Sequence, residues 1–76
     1  MKPSFDQHNA FLAREPLPSV RFEHNDFVRV ASGEHAGING SIVSVEVLGD
    51  DPVYLVELES NQDALVPQSR LSTASA

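Results

Sequence analysis

A glycine-rich stretch between two strand-like segments restricts the fold of this chain more than any other feature. It reads GEHAGING and covers residues 33–40, with alternating or valine-rich segments on both sides. Glycine reaches positive φ without steric cost, and Asn-Gly is favoured where a turn needs two such residues. The pattern predicts a long loop between two strands, shaped by Gly33, Gly37, Asn39 and Gly40.

Glycine-rich loops also bind phosphate when their N–H groups converge in front of a helix. Here no Lys-Ser/Thr pair follows the glycines, and the next segment is a valine-rich strand. We therefore interpret the glycines as a requirement of the backbone rather than as an anion site.

The segments around this loop alternate with the period of two that is typical of strands. Strands are predicted at 27–31, 41–48, 53–58 and 64–66, followed by one helical turn at 68–71. Short strands spaced by about ten residues favour a small antiparallel barrel or sandwich. The predicted core consists of apolar residues on the inward faces: Val28, Val30, Val43, Val45, Val56, Val66 and Leu71.

The first 24 residues differ from the rest and are predicted to form an N-terminal arm. Ser4 and Gln7 have capping-box spacing, so a short helix over 5–15 is one alternative and a flexible arm is the other. Phe5 and Leu12 would share a helical face, and Pro16 would end the helix. Residues 25–72 are predicted to form the barrel, and residues 73–76 a disordered tail.

Residues 25–43 resemble the KOW motif. Asp26 to Val30 has the form "D-x-V-x-V", and Gly33, Gly37 and Gly40 follow at the spacing of the motif. The resemblance is closest to the C-terminal domain of NusG-type transcription elongation factors and extends loosely to residue 71. It implies an all-β fold, a five-stranded SH3-like barrel that docks RNA, ribosomal proteins, polymerase or termination factors.

The chain departs from these relatives at two places where they tend to carry apolar contact residues. The loop tip here is Glu34-His35, and the turn after the third strand is the polar stretch 59–62. The 24 residues before the motif are too few to form the N-terminal domain by which such factors hold polymerase. A shared fold therefore does not carry the function of the relatives with it.

Composition excludes several function classes. The chain has no cysteine, and its net charge of −6 is carried entirely by residues 25–76. That charge repels RNA and acidic membranes at long range, so binding of free nucleic acid is less expected. No apolar run approaches the roughly 20 residues of a membrane span, and the cytoplasm is the default compartment.

No pattern indicates catalysis, a metal site or a cofactor. The three histidines, His8, His24 and His35, have no metal-ligand spacing and polar neighbours. We therefore expect a non-enzymatic protein-interaction module.

Two sets of residues are candidate partner contacts. The first comprises Phe27, Arg29, His35 and Tyr54. The second is an acidic edge formed by Glu46, Asp50, Asp51, Glu57 and Glu59.

The acidic edge favours a basic partner, such as a ribosomal protein, a polymerase-associated factor or a toxin. One alternative is an RNA-binding KOW domain that uses Phe27, Arg29 and Tyr54 as a platform. Another is a small acidic antitoxin or immunity-type protein that neutralises a basic partner. Pairing of exposed edge strands would instead give a homodimer.

Overall fold

The computed structural model describes residues 1–74 and shows one short helix followed by an antiparallel sheet. The elements in chain order are α1 (Phe5–Leu12), β1 (Phe27–Val30), β2 (Asn39–Val47), β3 (Val53–Leu58), β4 (Asp63–Pro67), the 3₁₀ turn η1 (Gln68–Arg70) and β5 (Leu71–Thr73). The five strands that the resemblance implies are present and antiparallel, whereas the residue pattern predicted only the first four and missed β5.

The sheet is open. Its strand order is β4-β3-β2-β1-β5, and over residues 1–74 the two outermost strands do not pair with each other. The prediction of a closed barrel is therefore not confirmed. Thr73, predicted to begin a disordered tail, is the last residue of β5, and the Ala74 N–H donates to the Phe27 carbonyl at 3.1 Å. Residues 75–76 of that predicted tail lie outside the described residues.

The core follows the predicted alternation except in β2. Within β2 the pairing register with β3 shifts between Ile42 and Ser44 and again between Val45 and Val47. Such bulges insert an extra residue and change the face on which later side chains lie. Ile42 and Val45 are consequently buried, whereas Val43 is only half-buried and Val47 is 37% exposed.

The prediction that Val43 belongs to the core is thus wrong. At the first bulge the Val43 carbonyl accepts a hydrogen bond from His24 Nδ1 at 2.7 Å. The other predicted core residues are buried as expected: Val28, Val30, Val45, Val56, Val66 and Leu71.

The N-terminal segment covers the inner face of the sheet. Phe11 and Phe22 are both buried, with ring centroids 6.1 Å and 5.7 Å from that of Tyr54. The ordered domain therefore includes residues before the predicted boundary at 25. No helix within residues 1–74 has the length and apolar character needed to cross a membrane.

The predicted capping box is present, since the Ser4 side chain and the Gln7 side chain each accept from the other's backbone N–H. The helix ends at Leu12, earlier than predicted, because Arg14 adopts a positive φ of 61°. The expected apolar stripe is wrong: Phe5 is 80% exposed, and Phe11 is the side chain that α1 buries.

Candidate protein-docking surface

The outer face of the β3–β4 hairpin carries four apolar side chains, of which one is largely exposed. Leu55 lies directly opposite Leu65, and Val53 lies opposite Pro67. Leu65 is 64% exposed, and the other three are half-buried. Leu65 and its half-buried neighbours form a small apolar surface, and apolar patches rimmed by polar residues are candidate interaction surfaces.

Two carboxylates border this apolar surface. Glu57 of β3 lies directly opposite Asp63 of β4, and both side chains are exposed. Within residues 1–74 no Lys, Arg or His forms an ion pair with either of them. Like charges directly opposite each other destabilise a sheet, so this pair has an unmet demand for a cation. We call Leu55, Glu57, Asp63 and Leu65 the outer hairpin face.

The backbone edge of β4 is also open. The Gln68 N–H donates to the Pro52 carbonyl at 2.7 Å, which fixes the pattern of hydrogen-bonded pairs along the hairpin. In an antiparallel pair every second residue bonds to its partner, so Ala64 and Val66 bond to β3. The remaining residues of β4 point their backbone polar groups away from β3: Asp63, Leu65 and Pro67.

A groove of about 280 Å³ follows this open edge. One wall is β4, and the facing wall is formed by Ser32, Glu34 and His35 of the glycine loop. Arg70 also lines the groove, with its guanidinium Nη1 3.1 Å from where a Cβ on Gly33 would lie. No residue of β3 lines the groove, so it lies on the unpaired side of β4.

Of the four predicted loop-shaping residues, Gly33 and Gly37 lie in the loop that forms this wall, whereas Asn39 and Gly40 lie in β2. Gly33 and Gly37 have φ values of +93° and +87°, and the Gly37 N–H donates to the Val30 carbonyl at 2.7 Å. Asn39 and Gly40 begin β2, as predicted, but neither is in the positive-φ region, so the predicted Asn-Gly turn conformation is wrong. Gly40 is instead required by packing, because a Cβ there would lie 2.6 Å from the Glu57 carbonyl oxygen.

The candidate contacts Phe27, Arg29, His35 and Tyr54 do not form one platform. Phe27 and Arg29 lie on the outer side of β1, where Phe27 is half-buried and Arg29 exposed. His35 lies in the groove wall, with Nε2 3.9 Å from a Glu34 carboxylate oxygen. Tyr54 is 0% exposed in the core, so its assignment as a surface contact is wrong. It is buried because it belongs to the inward alternation of β3.

The predicted acidic edge divides into two groups. Glu46, Asp50 and Asp51 lie before β3, whereas Glu57 and Glu59 lie at its far end. The strand therefore separates carboxylates that are close together in sequence. Only the second group borders the outer hairpin face.

Asp51 has a structural role in the first group. Its two carboxylate oxygens accept the Ser69 N–H at 2.8 Å and the Ser69 hydroxyl at 2.7 Å. These side-chain and backbone hydrogen bonds lower the pKa of Asp51 below its ordinary value of 3.8. The contact fixes η1 to the β2–β3 turn and so positions Arg70 at the end of the groove.

Gln68 organises a buried polar network that the sequence did not reveal. Its Oε1 accepts the Tyr54 hydroxyl at 2.5 Å and the Arg21 N–H at 2.9 Å, and its Nε2 donates to the Ser19 carbonyl at 3.0 Å. Burial raises the pKa of Tyr54. The network joins the N-terminal segment to β3 and η1. No pattern in the sequence indicates it, because Tyr54 and Gln68 are 14 residues apart along the chain.

Arg14 is a second residue that the sequence analysis missed. Its guanidinium donates to the His24 carbonyl at 2.6 Å and pairs with Glu23 at 3.4 Å and Asp26 at 3.3 Å. It therefore fixes the end of α1 to the approach of β1. Within the described residues no group of three or more His, Asp or Glu is arranged to hold a metal ion.

Comparison with known proteins gives one family match. Residues 19–75 match the family model described as the TOBE domain. No curated protein and no solved structure matches the chain. The match supports a small β domain, and the comparisons contain no match to a KOW motif or to a NusG-type domain.

Proposed function

Because this chain belongs to the TOBE domain family, whose small β domains are often involved in binding, we propose that it is a non-enzymatic binding module for a basic segment of another protein. The observation that carries the proposal is the outer hairpin face. There the unpaired carboxylates of Glu57 and Asp63 lie beside the exposed Leu65.

The chemistry of this face selects the partner. A Lys or Arg side chain between Glu57 and Asp63 would remove the repulsion between their carboxylates. An adjacent apolar side chain would cover Leu55 and Leu65 and gain roughly 25 cal/mol for each Å² of apolar surface buried. The net charge of −6 would also steer a basic partner toward the domain and raise its association rate.

A selection from a phage-displayed library of random peptides tests this function. We expect the folded domain to enrich peptides that combine Lys or Arg with apolar residues. The double variant Glu57→Gln/Asp63→Asn should bind the enriched peptides about threefold to tenfold more weakly, because it removes both carboxylates while keeping their shape. The difference should shrink as salt is raised.

The matched control is Asp6→Asn/Glu15→Gln, which removes the same charge from the N-terminal segment. It should bind the peptides as the parent does. Enrichment of peptides without basic residues, or equal weakening by both double variants, would contradict the proposal.

The finer assignments remain predictions. Docking to the transcription or translation machinery is based on the KOW-like residues alone, and the antitoxin alternative on size and charge. RNA binding through a platform of Phe27, Arg29 and Tyr54 loses its third member, because Tyr54 is buried. Identification of the natural partner by cross-linking at residue 65 would separate the machinery and toxin alternatives.

A further inference from the structure

The open edge of β4 offers a specific way to bind a segment. Asp63 and Leu65 each direct an N–H and a C=O away from β3, and Pro67 directs a C=O. Unpaired edge groups of this kind are a template for another strand. Peptide recognition by strand addition uses such an edge for affinity and side-chain positions for specificity.

The groove beside this edge has space for side chains of an added strand. It is bounded by the loop wall at Glu34 and His35, and Val30 and Val66 contribute its apolar surface. Successive side chains of a strand point to opposite faces. An added strand would therefore place alternate side chains in the groove and the others beside the outer hairpin face.

Charge complementarity defines the occupant. In an antiparallel arrangement, the added strand passes Leu65 first and Asp63 two residues later. The residue beside Leu65 faces an apolar surface that includes Leu55. The residue beside Asp63 faces the carboxylates of Asp63 and Glu57. The matching pattern is apolar-x-basic, with x a small or β-branched residue in the groove.

We propose that the basic segment binds as an extended strand added antiparallel to β4, with its main chain hydrogen-bonded to Asp63 and Leu65 and its side chains in the order apolar-x-basic. This rests on the proposed function and adds the mode of binding and the sequence pattern of the partner.

The test uses the full chain and a capped synthetic peptide, Thr-Thr-Val-Thr-Lys-Thr, with the Lys→Glu peptide as its control. Binding is measured by titration in ¹H–¹⁵N NMR spectra. We expect shifts confined to β4 and the facing loop wall, and slower amide exchange of Leu65 and Asp63 in the complex. The Glu-containing peptide should bind at least about tenfold more weakly.

Two substitutions at one position separate the backbone from the side chain. Leu65→Pro removes the outward N–H without removing a bond to β3, and Pro67 already occupies the equivalent position two residues on. Leu65→Ala removes side-chain contact and keeps the N–H. Strand addition predicts that Leu65→Pro weakens binding at least about tenfold, and considerably more than Leu65→Ala.

The outcomes separate the two proposals. If the peptide binds, needs Glu57 and Asp63, and is indifferent to Leu65→Pro, strand addition is overturned while the proposed function stands. If neither peptide shifts any β4 resonance, both are overturned. Should Leu65→Pro fail to fold, unchanged exchange of the Leu65 amide in the parent complex overturns strand addition by itself. Self-association of the parent through β4, detected by sedimentation without peptide, would overturn the choice of occupant.

Discussion

The two edges of the sheet differ in length and in what surrounds them. β5 spans only three residues, Leu71–Thr73, and shares one hollow with Arg21, Phe22 and Asp26 of the N-terminal segment. β4 spans five residues and exposes 64% of Leu65, and the facing loop stands across a groove from it.

β4 is thus the longer edge and the one that carries a largely exposed apolar side chain. Natural proteins protect edges by making them short, covering them, or placing charge and proline on them. β5 is short and flanked by the N-terminal segment. β4 has Asp63 at one end and Pro67 at the other, but Leu65 between them is unprotected. We therefore assign stability to the pairing of β2 with β3 and recognition to the open edge of β4.

The largest loss of stability is expected from Gly40→Val, where β2 pairs with β3. The valine side chain would clash with the Glu57 carbonyl oxygen of β3 and separate β2 from β3. We expect the free energy of unfolding in urea to fall by about 3 kcal/mol. Ser41→Val, on the half-buried outer side of the same strand, is the control and should change it little. A loss below about 1 kcal/mol for Gly40→Val would contradict the assignment of stability to the β2–β3 pairing.

A smaller loss is expected where the N-terminal segment joins the sheet, from Gln68→Met. The variant fills similar space but leaves the Tyr54 hydroxyl, the Arg21 N–H and the Ser19 carbonyl without their partner. Thermal and urea unfolding should show a loss of about 2 kcal/mol. Tyr54→Phe removes only one of these bonds and should cost about 1 kcal/mol. Equal effects of the two variants would contradict the central position of Gln68.

The pH dependence of stability tests the contact between Asp51 and η1. Because the pKa of Asp51 is lowered on folding, its contribution is complete above the ordinary value of 3.8 and is lost as pH falls through the lower native value. Asp51→Asn should therefore melt below the parent at pH 7, and the two melting temperatures should converge in acid below pH 3.8. A difference that stays constant down to acid pH would show that the ionised carboxylate is not the stabilising group.

The smallest effect is expected at the open edge. Leu65→Ala should change the free energy of unfolding by no more than about 0.5 kcal/mol, because the side chain is mostly exposed. Leu58→Ala in the same hairpin is the matched comparison and should lose about 3 kcal/mol, since Leu58 is buried. If both substitutions lower the free energy of unfolding equally, Leu65 is part of the core. The contrast between the β2–β3 pairing and the open edge of β4 then fails.

The sequence predicted the parts of the fold in which local rules act without interference. β3 alternates regularly, so Tyr54, Val56 and Leu58 were placed on one face, and all three are buried. The capping box at Ser4 and Gln7 depends only on residues within one helical turn. These features needed no knowledge of distant contacts.

The misses arise where tertiary contacts override the local pattern. The two bulges in β2 break the period of two, which moved Val43 out of the core and Ile42 into it. The burial of Phe11 and Phe22 depends on where the N-terminal segment docks, which no short-range signal encodes. The functional assignment of Tyr54 failed for a different reason, because the alternation of β3 already placed it on the inward face with Val56 and Leu58.

Only part of the docking surface could be predicted from the sequence. Glu57 was a candidate contact, but Asp63 and Leu65 were not, because their position depends on the register of the β3–β4 hairpin. The polar turn 59–62 was recognised, but a register centred on that turn would place Asp63 opposite Leu58, whereas the observed register is centred on Ser60 and places Asp63 opposite Glu57. Which strands stand at the edges of the sheet could not be derived without the strand order.

Native-state amide hydrogen exchange along β4 shows whether this strand is an open edge in the free protein. If β4 is an open edge, the amides of Ala64 and Val66, bonded to β3, should exchange at least about a hundredfold more slowly than the amide of Leu65. Protection of Leu65 equal to that of its two neighbours would mean that the edge is already covered in the free protein. That result would contradict the account of β4 as a recognition edge.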